Sequence, residues 1–158
     1  MAWIKFGLLL SIVIPGIFLV LLWQPECQVE LHTSNLLKRA SARHWEGVAA
    51  MVSPGYGDAW GHDRASAVEE MRQLFRHFFL LQIEPLEPLH VEVRSDVATA
   101  SARMGVSGSG TAMAQTVMAE VDGLNRPFFF RWTKSGPWPW EWRLIEAGQQ
   151  QLAEKYPR

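Results

Sequence analysis

The feature that most constrains this chain is an uncharged, strongly apolar segment that begins at Phe6 and ends at Trp23. Its eighteen residues come close to the roughly 20 that cross the hydrocarbon core of a bilayer as a helix. The pair Pro15-Gly16 interrupts the segment, but membrane helices tolerate such pairs better than helices in water do. We therefore expect a membrane-spanning helix followed by one folded domain.

Such a segment is either a retained anchor or a cleaved signal peptide. A signal peptide needs a small-x-small cleavage site after its apolar run, and residues 21–26 supply none. Trp3 and Trp23 are placed for the two membrane interfaces, and Lys5 marks the cytoplasmic side. We expect a signal anchor in a single-pass membrane protein, with its N-terminus in the cytoplasm and its domain on the periplasmic or extracytoplasmic side.

Length and charge limit the rest of the chain to one domain without a basic surface. The 158 residues leave room for a single domain beside the anchor, since domains usually take roughly 100–200 residues. Fifteen Lys and Arg against sixteen Asp and Glu give a net charge of -1, which argues against nucleic acid as a partner. Cys27 is the single cysteine, so the chain has no internal disulfide. We expect an anchor over residues 1–27, a domain over 28–147 and a polar C-terminal tail over 148–158.

Two helices are predicted before any strand. Between residues 28 and 52 the apolar positions recur at spacings of three and four, typical of a helix with one buried stripe; they are Leu37, Ala40, His44, Val48 and Met51. Ser53-Pro54-Gly55 ends this helix, because proline and glycine disfavour its continuation. Asp63 suits the N-cap of a second helix that ends near Phe79.

After residue 79 the apolar period changes from 3.6 to 2, which indicates strands separated by turns. We expect strands over residues 80–84, 90–95, 97–106, 115–121, 128–134 and 140–147, with a flexible link over 107–110. Helices followed by strands predict an α+β domain, with two or more helices packed on a curved, mainly antiparallel sheet. In the fifth strand, alternation gives Phe128, Phe130 and Trp132 one face, which we expect to be the core.

The element order resembles that of the NTF2-like superfamily. The resemblance rests on the Ser53-Pro54-Gly55-Tyr56 loop between helices, the capped second helix and the aromatic segments 127–132 and 140–144. The resemblance covers residues 28–147. The superfamily includes SnoaL-type cyclases, scytalone dehydratase and ketosteroid isomerase. The resemblance implies a cone-shaped fold with an apolar pocket between the helices and the concave face of the sheet. The resemblance also implies a homodimer formed through the sheet. Because the superfamily includes both enzymes and binding modules, the fold does not decide the function.

The loop between the two predicted helices holds the densest set of polar and aromatic side chains, which are Tyr56, Asp58, Trp60 and His62. In this resemblance the loop lies near the mouth of the pocket. An isomerase of the steroid type would use Asp58 as the base and Tyr56 as the hydrogen-bond donor to an enolate oxygen. The alternative is that Gly-Tyr-Gly-Asp is ordinary turn chemistry, and we weight this structural role more heavily.

His44 and Arg131 are further candidates for the pocket lining. His44 falls on the apolar stripe of the first helix, where a hydrogen-bonded core or pocket histidine is more common than a catalytic one. Arg131 lies in the aromatic strand, and alternation favours an outward orientation for it. The five histidines have no ligand spacing, so we expect neither a metal nor another cofactor.

Three functions therefore remain open. The first is an uncharacterised, membrane-anchored domain that binds a small apolar ligand or assembles with proteins. The second is an isomerase or dehydratase of a small hydrophobic carbonyl compound, and the third is a structural subunit of an envelope complex. Trp138 and Trp140 flank Pro139 at a turn, where only the membrane or a second copy would cover their rings.

Overall fold

The computed structural model describes residues 23–157. The helices are α1 (Pro25–Ser41), α2 (Trp45–Met51), α3 (Arg64–Phe75), α4 (Ala112–Asp122) and α5 (Gln150–Lys155). The strands are β1 (Phe78–Pro85), β2 (His90–Arg94), β3 (Val97–Ala102), β4 (Met104–Gly110), β5 (Phe128–Lys134) and β6 (Trp142–Gln149). No helix in this part of the chain is long and apolar enough to cross a membrane. The predicted anchor lies outside the described residues except for its last residue, Trp23.

The strands pair antiparallel in two sheets. Four of them form a sheet in the order β2-β3-β5-β6, and β1 pairs with β4. Only Arg103 separates β3 from β4, so one continuous stretch of chain contributes a strand to each sheet. The α+β architecture with helices and antiparallel sheets is thus confirmed.

The core lies between α1 and the inner face of the four-stranded sheet. Phe130 and Trp132 point into it, as the alternation in the sequence predicts. In the register of β3 and β5 they stand opposite Ala100 and Ala98, and the small alanines leave room for the large rings. Trp132 is fully buried, and its Nε1–H donates to the Oγ1 of Thr33 on α1 at 3.0 Å. This hydrogen bond satisfies the one polar atom that the indole brings into the core.

The single helix predicted over residues 28–52 is wrong, because the chain forms two helices there. Arg43 takes a positive φ of 57° between them, and α2 begins only at Trp45. The guanidinium of Arg43 donates to the backbone oxygen of Phe78 on β1. Local periodicity carries no information about such a tertiary contact. As a result His44 is exposed at the N-cap of α2, and it is not part of a buried stripe.

The strand predicted over residues 115–121 is also wrong, because these residues belong to α4. Ala114, Met118 and Val121 recur at helical spacing, and Ala, Met, Gln and Glu all favour helices. Residues 107–110, predicted as a link, form the end of β4. A Cβ added to Gly108, whose φ is 145°, would lie 2.0 Å from the backbone oxygen of Leu80. Glycine is therefore needed there to let the two strands approach.

The second predicted helix begins as expected and ends early. The Oδ1 of Asp63 accepts the backbone N–H of Ser66 at 2.8 Å, which confirms the N-cap. The helix stops at Phe75 because the next residues turn the chain into β1, which starts at Phe78.

The C-terminal part is ordered further than its polar composition suggests. β6 starts at Trp142, so Trp140 lies in the preceding turn and not in the strand. Residues 148–155, predicted as part of a tail, complete β6 and form α5. The Nζ of Lys155 donates to Glu120 on α4 at 2.6 Å, and this hydrogen bond raises the pKa of the lysine. The pair holds α5 against α4.

Candidate functional site

The loop between α2 and α3 is bonded along the outer edge of β6, the last strand of its sheet. The backbone N–H of Ser53 donates to the oxygen of Leu144 at 2.8 Å, and that of Gly57 donates to the oxygen of Ile145 at 3.1 Å. One backbone hydrogen bond before Tyr56 and one after it therefore fix the backbone that carries its side chain. The loop is an extension of the sheet edge, which gives its polar residues defined positions.

Asp58 is the centre of the hydrogen bonds in this loop. Its Oδ1 accepts the backbone N–H groups of Trp60 at 3.0 Å and His62 at 2.9 Å. Its Oδ2 lies 2.9 Å from Nδ1 of His62. A carboxylate only accepts hydrogen bonds, so Nδ1–H of the ring donates and Nε2 is left as an acceptor in neutral histidine. The Asp58 side chain is 5% exposed and that of His62 24%, so a buried carboxylate orients an imidazole at the surface.

Tyr56 lies close to the same carboxylate. Burial raises the pKa of its phenol above the ordinary value, and the negative charge of Asp58 raises it further. The polar contact with Asp58 acts in the same direction, whereas the backbone N–H of Ala147 lowers the pKa. The two residues that the sequence offers as base and donor therefore lie next to each other, and the carboxylate of Asp58 is already bonded to Trp60 and His62. An isomerase would need both of them free to contact one substrate.

Arg131 lies on the outer face of the four-stranded sheet, where its guanidinium contacts Glu146 at 2.8 Å. A β-bulge gives β6 one extra residue, so Arg131 stands opposite Glu146 and Trp132 opposite Leu144. Strict alternation from Leu144 would turn Glu146 toward the core. Sequence reasoning missed Glu146 for this reason, and only the register of the hairpin reveals it.

The structure brings most of the candidate residues together. The charge of Glu146 also contributes to the raised pKa of Tyr56, so the loop and the sheet pair form one polar strip along β6. Its members are Tyr56, Asp58, His62, Arg131 and Glu146. Trp60 contributes its backbone N–H and a half-buried ring, and His44 lies apart at the start of α2. Within residues 23–157 no three His, Cys, Asp or Glu side chains are grouped to hold a metal ion.

The space between α1 and the sheet is filled by side chains. The buried residues that meet there include Val29, Leu36, Leu37, Phe130, Trp132, Trp142 and Leu144. An open groove of about 600 Å³ lies instead between α2 and α3. Its wall combines apolar residues, among them Trp45 and Val68, with the charged residues Asp63, Arg64, Glu69 and Arg72. This groove differs in place from the pocket between the helices and the sheet that the resemblance implies.

Comparison with solved structures identifies the architecture. A nuclear transport factor 2 (NTF2-like) superfamily protein from Salmonella enterica serovar Typhimurium superposes with a TM-score of 0.58 at 12% identity, over 78% of this chain and 87% of that one. The fold is NTF2-like. A suggested dehydratase of the NTF2-like family from Streptomyces avermitilis gives a TM-score of 0.55 at 13% identity, over 76% and 90% of the two chains.

The third comparison shows the same fold inside a longer protein. Bdellovibrio bacteriovorus Bd1075 superposes with a TM-score of 0.56 at 8% identity, over 73% of this chain but 36% of its own. No family model matches the present sequence, and no curated protein matches it. The likeness therefore establishes the NTF2-like fold, and function has to be argued from the residues.

Proposed function

We propose that this chain is a membrane-tethered NTF2-like module that acts by binding another protein and not by catalysis. The observation that carries the proposal is the filled interior, where Trp132 occupies the concave side of the sheet and is bonded to Thr33. A small apolar ligand would have to displace that ring and break its hydrogen bond to Thr33, whose hydroxyl would keep only its bond to the oxygen of Val29; the loss of one such bond costs about 0.5–1.5 kcal/mol. Binding through a surface requires no such displacement.

The partner that we favour is a second copy, docked through the outer face of the four-stranded sheet. That face presents Thr99, Ser101, Phe129 and Thr133, which are half-buried, around the Arg131–Glu146 pair. Small and half-buried residues suit close packing of one sheet on another. A two-fold interface would place the same patch on both subunits.

Native mass spectrometry of the full chain in detergent tests this assembly. We expect a dimer for the natural chain and a predominant monomer for Thr99→Arg, because an unpaired charge in the centre of an interface weakens association at least about tenfold. Gln73→Arg, at an exposed position on α3, is the matched control and should remain dimeric. A monomeric natural chain, or a Thr99→Arg dimer, would contradict the proposal.

The membrane tether is the second part of the proposal. It is supported by the uncharged run over residues 6–23 and by the missing cleavage site. We expect the full chain to stay with membranes after alkaline washing and to keep its N-terminus in an intact-mass measurement. A mature N-terminus near Cys27 would rule the tether out.

Labelling of the single cysteine can determine on which side of the membrane the domain lies. Cys27 lies at the start of α1 and is partly exposed. A maleimide reagent that does not cross membranes should label it in intact spheroplasts if the domain is outside the cytoplasm, with Cys27→Ser as the blank. Labelling only after lysis would place the domain in the cytoplasm.

A second function is favoured by the Asp58–His62 pair. The carboxylate holds the ring so that Nε2 is available at a surface position, which is the arrangement of a general base oriented by an acid. Such a base would remove a proton next to the carbonyl of a small ketone. Proton NMR of deuterium exchange into cyclohexanone tests this reaction, and loss of exchange in His62→Gln would support it. Exchange equal to the buffer rate in the natural chain would exclude it for this probe.

A further inference from the structure

Three exposed tryptophans form one surface beside the end of the apolar segment. The rings of Trp138 and Trp140 are stacked with their centroids 5.4 Å apart and an angle of 7° between their planes. The ring of Trp23 meets that of Trp140 edge-on at 6.5 Å. Trp23, Trp138 and Trp140 are 55%, 51% and 53% exposed. We call these three residues the tryptophan surface.

The turn between β5 and β6 holds two of these rings in place. The backbone N–H of Trp138 donates to Oε2 of Glu141 at 3.1 Å, and that of Glu141 donates to the oxygen of Trp138 at 3.2 Å. The oxygen of Glu141 in turn accepts the N–H of Ser135 at 2.7 Å. Pro137 and Pro139 restrict the backbone further. The turn is thus ordered before it meets any partner, which lowers the entropy cost of binding.

The place of this surface in the chain identifies what covers it. Trp23 is both the last residue of the apolar run and a member of the tryptophan surface. In a membrane-spanning segment this residue would stand at the outer interface, where tryptophan is enriched because its ring is apolar and its N–H is polar. Because the ring of Trp23 contacts that of Trp140, the β5–β6 turn would lie at the same depth in the membrane interface.

We infer that the tryptophan surface lies in the headgroup region of the bilayer that residues 6–23 cross. This inference rests on the proposed tether. It adds that the domain is held against the membrane in one orientation, with the β5–β6 turn inserted between the lipids. A domain joined only through residue 24 would otherwise swing freely above the surface.

Quenching of tryptophan fluorescence by brominated lipids tests the inference. The full chain is reconstituted in phosphatidylcholine–phosphatidylglycerol liposomes, with and without bromine near the carbonyl end of the acyl chains. We expect the quenched intensity to fall by about half in Trp138→Phe/Trp140→Phe, because two of the four tryptophans assigned to the interfaces are removed. The control is Trp60→Phe, in the loop between α2 and α3, which should leave the quenched intensity unchanged.

Flotation of the same liposomes separates the possible outcomes. If the protein does not float with the lipids, both the tether and the docking are wrong. If it floats but the double variant is quenched as strongly as the natural chain, the tether stands and the docking is wrong. If the double variant instead loses a dimer seen by native mass spectrometry with unchanged quenching, a second copy covers the tryptophans and the inference is overturned.

Discussion

The hairpin formed by β5 and β6 contains two pairs of tryptophans with opposite environments. Trp132 and Trp142, on the strands, are buried in the core, whereas Trp138 and Trp140, at the turn, leave half of their surface exposed. The strand pair faces α1, and its rings are covered by the fold itself. The backbone of the turn pair is held by hydrogen bonds to Glu141, and the ring of Trp23 meets that of Trp140. We therefore expect the first pair to serve stability, whereas the second pair is free for the membrane contact that we propose.

Truncating one ring from each pair is the most direct way to break this comparison. We expect Trp132→Ala to lower the free energy of unfolding by about 3–5 kcal/mol, because it leaves a large cavity in the core. Trp138→Ala should change it by less than about 0.5 kcal/mol, as surface substitutions usually do. Urea unfolding followed by circular dichroism measures both values. Equal losses would show that the turn is part of the stabilising core.

A smaller effect should separate the two buried rings. Nε1 of Trp132 donates to Thr33, whereas Nε1 of Trp142 is buried without a partner among the described residues. Replacing Trp132 by Phe should cost about 2–3 kcal/mol, since it loses volume and breaks a buried hydrogen bond. Trp142→Phe should cost less than about 1 kcal/mol, because the lost volume is offset by removal of an unpaired donor. The same urea titrations decide the order, and a reversed order would contradict this account.

Lowering the pH provides a control for the comparison of the two tryptophan pairs. The tryptophans do not titrate, whereas the carboxylate of Asp63, which caps α3, does. Hydrogen bonds from Ser66 lower the pKa of Asp63 below its ordinary 3.8. A lowered pKa in the folded state contributes stability above the unfolded value and loses it as the pH falls through the folded value. We expect Asp63→Ala to be less stable than the natural chain at pH 7, and the gap to narrow near about pH 3. The difference between the two tryptophan pairs should persist at both pH values.

The smallest expected effect on stability lies in the turn itself. A Cβ on Gly136 would stand 2.0 Å from Oε2 of Glu141, so Gly136→Ala must displace the carboxylate that accepts the N–H of Trp138. We expect the free energy of unfolding to change by less than about 0.5 kcal/mol. Quenching by brominated lipids should nevertheless decrease, because the turn tryptophans lose their orientation. Unchanged quenching together with unchanged stability would mean that the carboxylate bond does not position the rings.

Much of the fold follows from the sequence wherever one face of an element is buried. Alternation predicts the inward pair Phe130 and Trp132, and the side chain of Asp63 predicts the start of α3. These signals are local, because each depends on residues within two or three positions of one another. The fold class follows from their order along the chain.

The remaining differences arise from contacts between distant parts of the chain. The break after α1 depends on Arg43 reaching Phe78, and the outward position of Glu146 depends on an extra residue in β6. For the site, the sequence identifies Tyr56, Asp58 and His62 as neighbours in one loop. It does not reveal that Asp58 is bonded to His62 and to the backbone of Trp60, and this bonding is what weighs against the steroid-isomerase scheme.

The bulge at Ile145 also determines which insertions and deletions β6 can accept without turning buried residues outward. Deleting Ile145 would restore strict alternation and keep both faces of β6, because Glu146 would still stand opposite Arg131 and Gln149 opposite Phe128. Deleting one residue between Glu146 and Gln149 would instead reverse the faces from that point onward. With that second deletion the buried Gln149 would point outward, and its hydrogen bonds to the turn before β5 and to the start of α5 would be lost. Related chains should therefore lose a residue within β6 only at the bulge, and otherwise change length in the turns on either side of the strand.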